Sequence, residues 1–340
     1  RGAIRIFAGD PDFEPFSIAS ATHEIVGSRA DEMLGTNLSY ADFNGDGQGD
    51  LAISTNWPVE SAYVMYGPIT ATESAQSDVE ILGADDTFLA SVGDIDGDGV
   101  DELAIGDYYA QTGASWHNGV VRLIHDPLTA VFEKTELPDT EIYGELSGAE
   151  LGRSIEPVGD LNNDGLDDFA VLETGWGGGV YVFYGDFTGD WQAAAASRSV
   201  IDGGDTAGLE RVIALDFDGD GTNDIAVSDS SWDDATYGDD VGAVAVFTGG
   251  LEPAHTFAGA PVLVIGIEAG AGFGQATVGA ELDGDDVGEE LVVGAPLSDV
   301  GEVDAGALYV FAGRSAPPSR LYASDFSGRW VGSLAGKTAG

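Results

Sequence analysis

The 340-residue sequence predicts an all-β fold, a β-propeller built from four-stranded antiparallel blades. Three observations predict it. An acidic pattern of nine or ten residues returns five times, the same pair of short apolar strands follows each copy, and helical periodicity is nearly absent. The copies are DFNGDGQGD from Asp42, DIDGDGVDE from Asp94, DLNNDGLDD from Asp160, DFDGDGTND from Asp216 and ELDGDDVGEE from Glu281, with starts 52 to 66 residues apart. Repeated four-stranded units of this period stack into propellers, because a single unit cannot bury its own apolar faces. A β-sandwich is the alternative, and five aligned copies weigh against it.

Each unit reads as four strands. A first strand with Leu-Gly or Phe-Gly character precedes the acidic loop, as in GFGQ at Gly272 and ELGR at Glu150. The second strand follows it: LAIS at Leu51, LAIG at Leu103, FAVL at Phe169, IAVS at Ile225 and LVVG at Leu291. The third is SAYVMYG from Ser61, GVVRLIHD from Gly119, GGVYVFYG from Gly178, GAVAVFTG from Gly242 and GALYVFAG from Gly306. A fourth lies in DVEILG, TEIYG, RSVIDG and PVLVIG. The 51 glycines are spread along the chain, as many tight turns require. QAAAASR near Gln192 has room for one or two helical turns at most.

The fifth unit, GFGQATVGAELDGDDVGEELVVGAP, contains Phe273-Gly274 and Gly294-Ala295-Pro296. It resembles the FG-GAP repeat of integrin α subunits and of many bacterial surface proteins. The resemblance covers nearly the whole chain. The other units keep the loop and strand pattern but drift from the name-giving letters; the second has Phe88-Leu89 and Gly106-Asp107. It implies a secreted or surface protein of a bacterium or archaeon, an integrin-like propeller, and a ligand face opposite the acidic loops.

The repeats run at about 28–83, 84–144, 145–203, 204–266 and 267–324. The remainder, 325–340 plus 1–27, makes a split blade. Gly2–Gly9, GAIRIFAG, copies GALYVFAG and reads as a third strand; Thr22–Gly27 reads as the fourth strand of that unit. Leu321–Ser324 is expected as the fourth strand of the fifth unit and Trp330–Gly336 as a first strand. The expectation is one domain of six blades, the last assembled from both termini. A truncated seven-bladed ring is the alternative.

The acidic loops are expected to bind Ca2+. In the first, Asp42, Asn44 and Asp46 alternate, Gly45 and Gly47 permit positive φ, Gln48 offers its carbonyl and Asp50 a closing carboxylate. The same positions are Asp94, Asp96, Asp98, Val100 and Glu102; Asp160, Asn162, Asp164, Leu166 and Asp168; and Asp216, Asp218, Asp220, Thr222 and Asp224. The fifth set is Glu281, Asp283, Asp285, Val287 and Glu290, altered by Asp286 in place of glycine and by the inserted Gly288. A plain hairpin turn needs one Asp-Gly, whereas clustered carboxylates repel one another unless a cation sits among them.

A net charge of −48 and only two lysines argue against nucleic acid and against anionic membrane surfaces. There is no Cys, and no apolar run reaches the length of a membrane span. His23, His117, His125 and His255 match no catalytic or zinc spacing, and there is no G-x-S-x-G elbow. The expected role is recognition or adhesion of an extracellular protein or glycan, as part of a larger surface assembly; a polysaccharide lyase or hydrolase is the alternative. Weak calcium sites fill in extracellular fluid, which points to an extracellular or cell-surface location. Rings recur after the second strand at Trp57, Tyr109, Trp176 and Trp232, with Trp116 further along its connection. They are expected to share the ligand face, and packing between blades is the competing explanation.

Overall fold

The computed structural model describes residues 2–7, 21–56, 61–69, 73–74, 78–83, 88–113, 115–125, 131–133, 140–175, 178–186, 191–193, 199–202, 208–249, 254–284, 287–300 and 302–331. Their strands form six sheets. Five of these contain an antiparallel four-stranded meander. Unit one uses Leu38–Ala41, Asp50–Ser54, Ser61–Met65 and Val79–Leu82. Unit two uses Phe88–Ser91, Leu103–Asp107, Val120–Ile124 and Thr140–Tyr143. Unit three uses Leu151–Gly159, Asp168–Glu173, Gly179–Phe183 and Ser199–Asp202. Unit four uses Leu209–Leu215, Asp224–Asp229, Ala243–Phe247 and Val262–Ile265. Unit five uses Ala276–Ala280, Glu290–Ala295, Ala307–Phe311 and Gly328–Val331.

At the N-terminus, Ala3–Ile6 and His23–Val26 pair antiparallel, where the sequence places a third and a fourth strand. The C-terminal reading needs correction. Arg320–Tyr322 is not the fourth strand of unit five; it pairs parallel with Val262–Ile265 of unit four. Gly328–Val331 takes the fourth place instead, so Trp330 does not begin a first strand. Residues 332–336 of that expected strand lie outside the described residues. Among those described, no strand pairing joins the N-terminal pair to Gly328–Val331.

The displacement of the Arg320 strand follows a rule that the sequence did not reveal. Each connection from third to fourth strand sends a short strand back to the preceding unit. Glu73–Ser74 joins His23–Val26, Val131–Glu133 joins Val79–Leu82, Trp191–Gln192 joins Thr140–Tyr143, and Ala254–Thr256 joins Ser199–Asp202, all in parallel. This clasp covers an outer edge that would otherwise offer unpaired backbone groups.

The apolar clusters lie between neighbouring units. Ile95, Val121 and Leu123 of unit two meet Ile155, Phe169 and Phe183 of unit three; Phe217, Val244 and Val246 of unit four meet Leu291, Tyr309 and Phe311 of unit five. Middle strands are therefore covered on both faces, and Ala243–Phe247 is buried at every residue. That is why these strands read as continuous apolar runs and do not alternate. The outer face of unit five is different: Leu308 is 45% and Trp330 61% exposed. First-strand ends of all five units surround one cavity of about 900 Å³, lined by Asn37, Phe88, Glu150, Glu210 and Gln275 among others.

Candidate functional site

The acidic loops join first to second strands, at one end of every unit. In the first, Gly45 and Gly47 have φ of 70° and 80°. Their positive φ lets the loop curl around its own carboxylates. Asp42 Oδ1 accepts from Asp46 N at 3.1 Å and its Oδ2 from Gly47 N at 2.7 Å. Asp94, Asp160 and Asp216 repeat this strap, with Oδ2 accepting from Gly99 N, Gly165 N and Gly221 N. In the third loop Asn163 takes the fourth position at φ 59°, a conformation that Asn tolerates better than most residues. In the fifth, Glu281 Oε1 accepts from Gly284 N at 2.6 Å; Asp285 lies outside the described residues.

The closing acid of every loop is buried: Asp50, Glu102, Asp168, Asp224 and Glu290. Four of them accept from the N–H of the second loop residue: Glu102 Oε2 from Ile95 at 2.7 Å, Asp168 Oδ2 from Leu161 at 2.8 Å, Asp224 Oδ2 from Phe217 and Glu290 Oε2 from Leu282. Three of the five accept an N–H beyond the third strand, from Gly67, Gly185 and Gly249. That leaves Asp50 Oδ2 and Glu102 Oε1 buried with no partner, along with Asp218 Oδ1.

Burial pushes Glu102 up to about 8, against the Ile95 bond, with Asp96, Asp94 and Asp98 adding to the rise. Asp224 is pushed to about 7 by burial and then by Asp218, and Asp168 to about 6 chiefly by burial. A carboxylate so placed is costly to ionise unless a cation compensates it. Groups of oxygen ligands lie within 4.8 Å of one another at Asp94, Asp96, Asp98 and Glu102, at Asp216, Asp218 and Asp224, and at Glu281, Asp283 and Glu290. This all-oxygen donor set, with orphaned buried oxygens, fits a hard divalent cation.

A link between loops was missed in the sequence. In three loops the acid just before the closing acid reaches back to the preceding loop: Asp101 Oδ2 accepts from Asp42 N at 2.9 Å, Asp167 Oδ2 from Asp94 N at 3.0 Å and Glu289 Oε2 from Asp216 N at 3.0 Å. Backbone bonds double the link, from Asp101 N to Asp42 O and from Asp167 N to Asp94 O. Recurrence of an acid at that position was the available signal. In unit one the position is Gly49, because the Tyr40 ring fills the space a side chain would need.

Connections between second and third strands leave the opposite end of each unit. In unit two that connection carries a run of rings. Arg153 lies 5.3 Å from the centre of Tyr108, Tyr108 is 4.5 Å from Tyr109, Tyr109 is 5.0 Å from His117, and His117 stacks on Trp116 at 3.6 Å. Trp116 is 58% and Tyr109 45% exposed. Buried Asn118 braces the loop, donating to Gly144 O at 2.7 Å and accepting from Thr112 N at 3.0 Å. Trp116 N donates to Ser147 Oγ at 3.1 Å. Trp232 is instead half-buried, its ring 5.1 Å from Phe257. Trp57 and Trp176 lie outside the described residues. Sequence analysis gave Tyr108 no role and found no catalytic or zinc spacing at His117; the contacts with Arg153, Tyr109 and Trp116 bring both into the run.

The fold and loops define a propeller-like class of all-β repeat protein. More particularly, residues 160–227 match the family model described as FG-GAP-like repeat, about a fifth of the chain. Two solved structures are similar. One is the WD40 domain of coronin from Toxoplasma gondii, at 10% identity and a TM-score of 0.49, matching 87% of this chain and 59% of that one. The other is BBS1N in complex with ARL6DN, soaked with lead, at 12% identity and a TM-score of 0.41, matching 82% of this chain and 65% of that one. This chain thus spans less than two thirds of either.

Proposed function

We propose that this chain is a calcium-stabilised recognition module that binds an extracellular protein or glycan through the aromatic run of unit two. The observation that carries this reading is the braced run of Tyr108, Tyr109, His117 and Trp116 at the end opposite the acidic loops, in which Tyr109 and Trp116 are exposed. Aromatic faces held rigidly at a surface gain contact area with little loss of side-chain entropy. Asp107 at the start of the connection pairs with Arg122 at 3.2 Å.

Calcium would be held by Asp42, Asn44, Asp46 and Asp50 and their counterparts in the other loops. Bound there, it would supply charge neutralisation for buried carboxylates. These residues fix the loop, and Asp101, Asp167 and Glu289 tie it to the loop of the preceding unit. Weak sites of this kind stay filled where calcium is millimolar, so the reading places the chain outside the cell or at its surface. The N-terminal pair packs against unit one through Ile4, Ile6 and Ile25, and we read it with the five units as a six-bladed ring. A seventh unit would insert against the open face of unit five, at Leu308 and Trp330.

Screening the chain on glycan and extracellular-protein arrays tests this reading. Trp116→Ala is expected to weaken the resulting interaction by about 1–3 kcal/mol, the range of a good aromatic anchor, and to leave the melting curve unchanged. Trp232→Ala should do the reverse, because its ring packs on Phe257. Full binding by the Trp116 variant would move the recognition surface elsewhere. Release of oligosaccharides in a depolymerisation assay would overturn recognition in favour of catalysis.

A further inference from the structure

The second acidic loop differs from the other four. His125 follows the third strand of unit two, and its Nδ1 stands 3.3 Å from Asp96 Oδ2. Asp96, Glu102 and His125 each present a ligand atom within 4.8 Å of the others, and Asp96 and Glu102 also belong to the group with Asp94 and Asp98. Among the described residues, no other such cluster includes a histidine. A second observation marks the site. Glu102 is fully buried, its Oε2 is committed to Ile95 N, and its Oε1 has no partner. A wholly buried carboxylate oxygen left bare within such a group is a costly arrangement without a ligand.

We infer that this loop is a mixed nitrogen–oxygen site, selective for a borderline transition-metal ion such as Zn2+ or Co2+, with His125, Asp96 and Glu102 as ligands. The inference rests on reading the acidic loops as cation sites. The chemistry behind it is ligand softness. Hard Ca2+ takes carboxylate and carbonyl oxygens, whereas an imidazole nitrogen shifts preference towards Zn2+, Co2+ and their neighbours. The other loops offer oxygen alone. The chain would then carry two kinds of metal: calcium at the purely oxygen loops, and one transition ion between units one and two, where Asp101 of the same loop also holds Asp42 N.

The test uses the intact calcium-loaded chain, titrated with Zn2+ and, as a spectroscopic probe, Co2+. One site is expected to take Zn2+ in the presence of excess calcium, and Co2+ there should show the visible bands of a nitrogen-ligated ion. The His125 ring nitrogens should shift in NMR spectra on Zn2+ addition. His125→Gln should lose the Zn2+ preference by at least about tenfold, with calcium uptake unchanged. If His125 merely donates a hydrogen bond to Asp96, the variant will weaken calcium and zinc alike and the ring nitrogens will not report the metal; that result overturns the inference. Calcium filling all loops of the wild type with no zinc preference would also overturn it, leaving the calcium reading intact. Failure of calcium to bind at any loop would sink both.

Discussion

Stripping divalent cations with EDTA is expected to lower the melting temperature by more than about 10 °C and to invert its dependence on pH. A site kept at about a hundred times its dissociation constant adds about 2.7 kcal/mol, and on the proposed reading several such sites would act together. The inversion follows from the buried closing acids. Without a cation, Glu102, Asp224 and Asp168 lie at about 8, 7 and 6 in the folded chain, raised above the ordinary carboxylate value of about 4 when unfolded. Between those limits the folded state binds more protons than the unfolded one, so stability rises as pH falls from about 8 to about 5. With the cation bound these acids stay ionised, their folded values fall below the unfolded ones, and stability is lost on acidification. Differential scanning calorimetry at several pH values, with calcium and with EDTA, reads both effects. Coincident melts would remove the ions from any account of stability.

The repeat, its strands and the acidic loops were legible in the sequence because each rests on local chemistry. Alternating acids with glycine at two fixed points determine a loop wherever it occurs. The GAIRIFAG and THEIVG strands were legible for a related reason: they copy strands elsewhere in the chain, and the structure pairs them at Ala3–Ile6 and His23–Val26. Interactions between units were not legible. Arg320–Tyr322 looks like a fourth strand by composition, yet its partner is Val262–Ile265 of the unit before. A residue's apolar character shows that it pairs and packs, but not with which sheet. Asp101, Asp167 and Glu289 lie inside the motif, yet the motif alone gives them no role, because the loop they hold belongs to the preceding unit. Among the rings, spacing alone placed Tyr109 and Trp232 at equivalent points; one is exposed and the other packs on Phe257.

Phe217→Ala is expected to cost about 3–5 kcal/mol, the usual range for removing a buried aromatic ring, while Leu282→Ala should cost almost nothing. Both residues occupy the second position of their acidic loops, and both have their N–H held by the closing acid, Phe217 by Asp224 at 3.0 Å and Leu282 by Glu290 at 2.8 Å. The side chains meet different fates. Phe217 is fully buried in the cluster joining units four and five, beside Leu291 and Phe311. Ile95 and Phe43 fill the corresponding places between units two and three and between units one and two. This position therefore acts as a plug between successive units, and its backbone is fixed by the same acid that would ligate the cation. Truncating Phe217 opens a cavity at a unit boundary and removes the packing that the loop order supports, so the variant should also lose part of its response to calcium. Among the described residues no unit packs over Leu282, which is 55% exposed. Urea unfolding of the two variants, each with and without calcium, measures the contrast. Equal and small losses would show that loop order does not act through the plug. A large loss at Leu282 would mean that the outer face of unit five is covered in solution, either by ring closure onto the N-terminal pair or by a further unit.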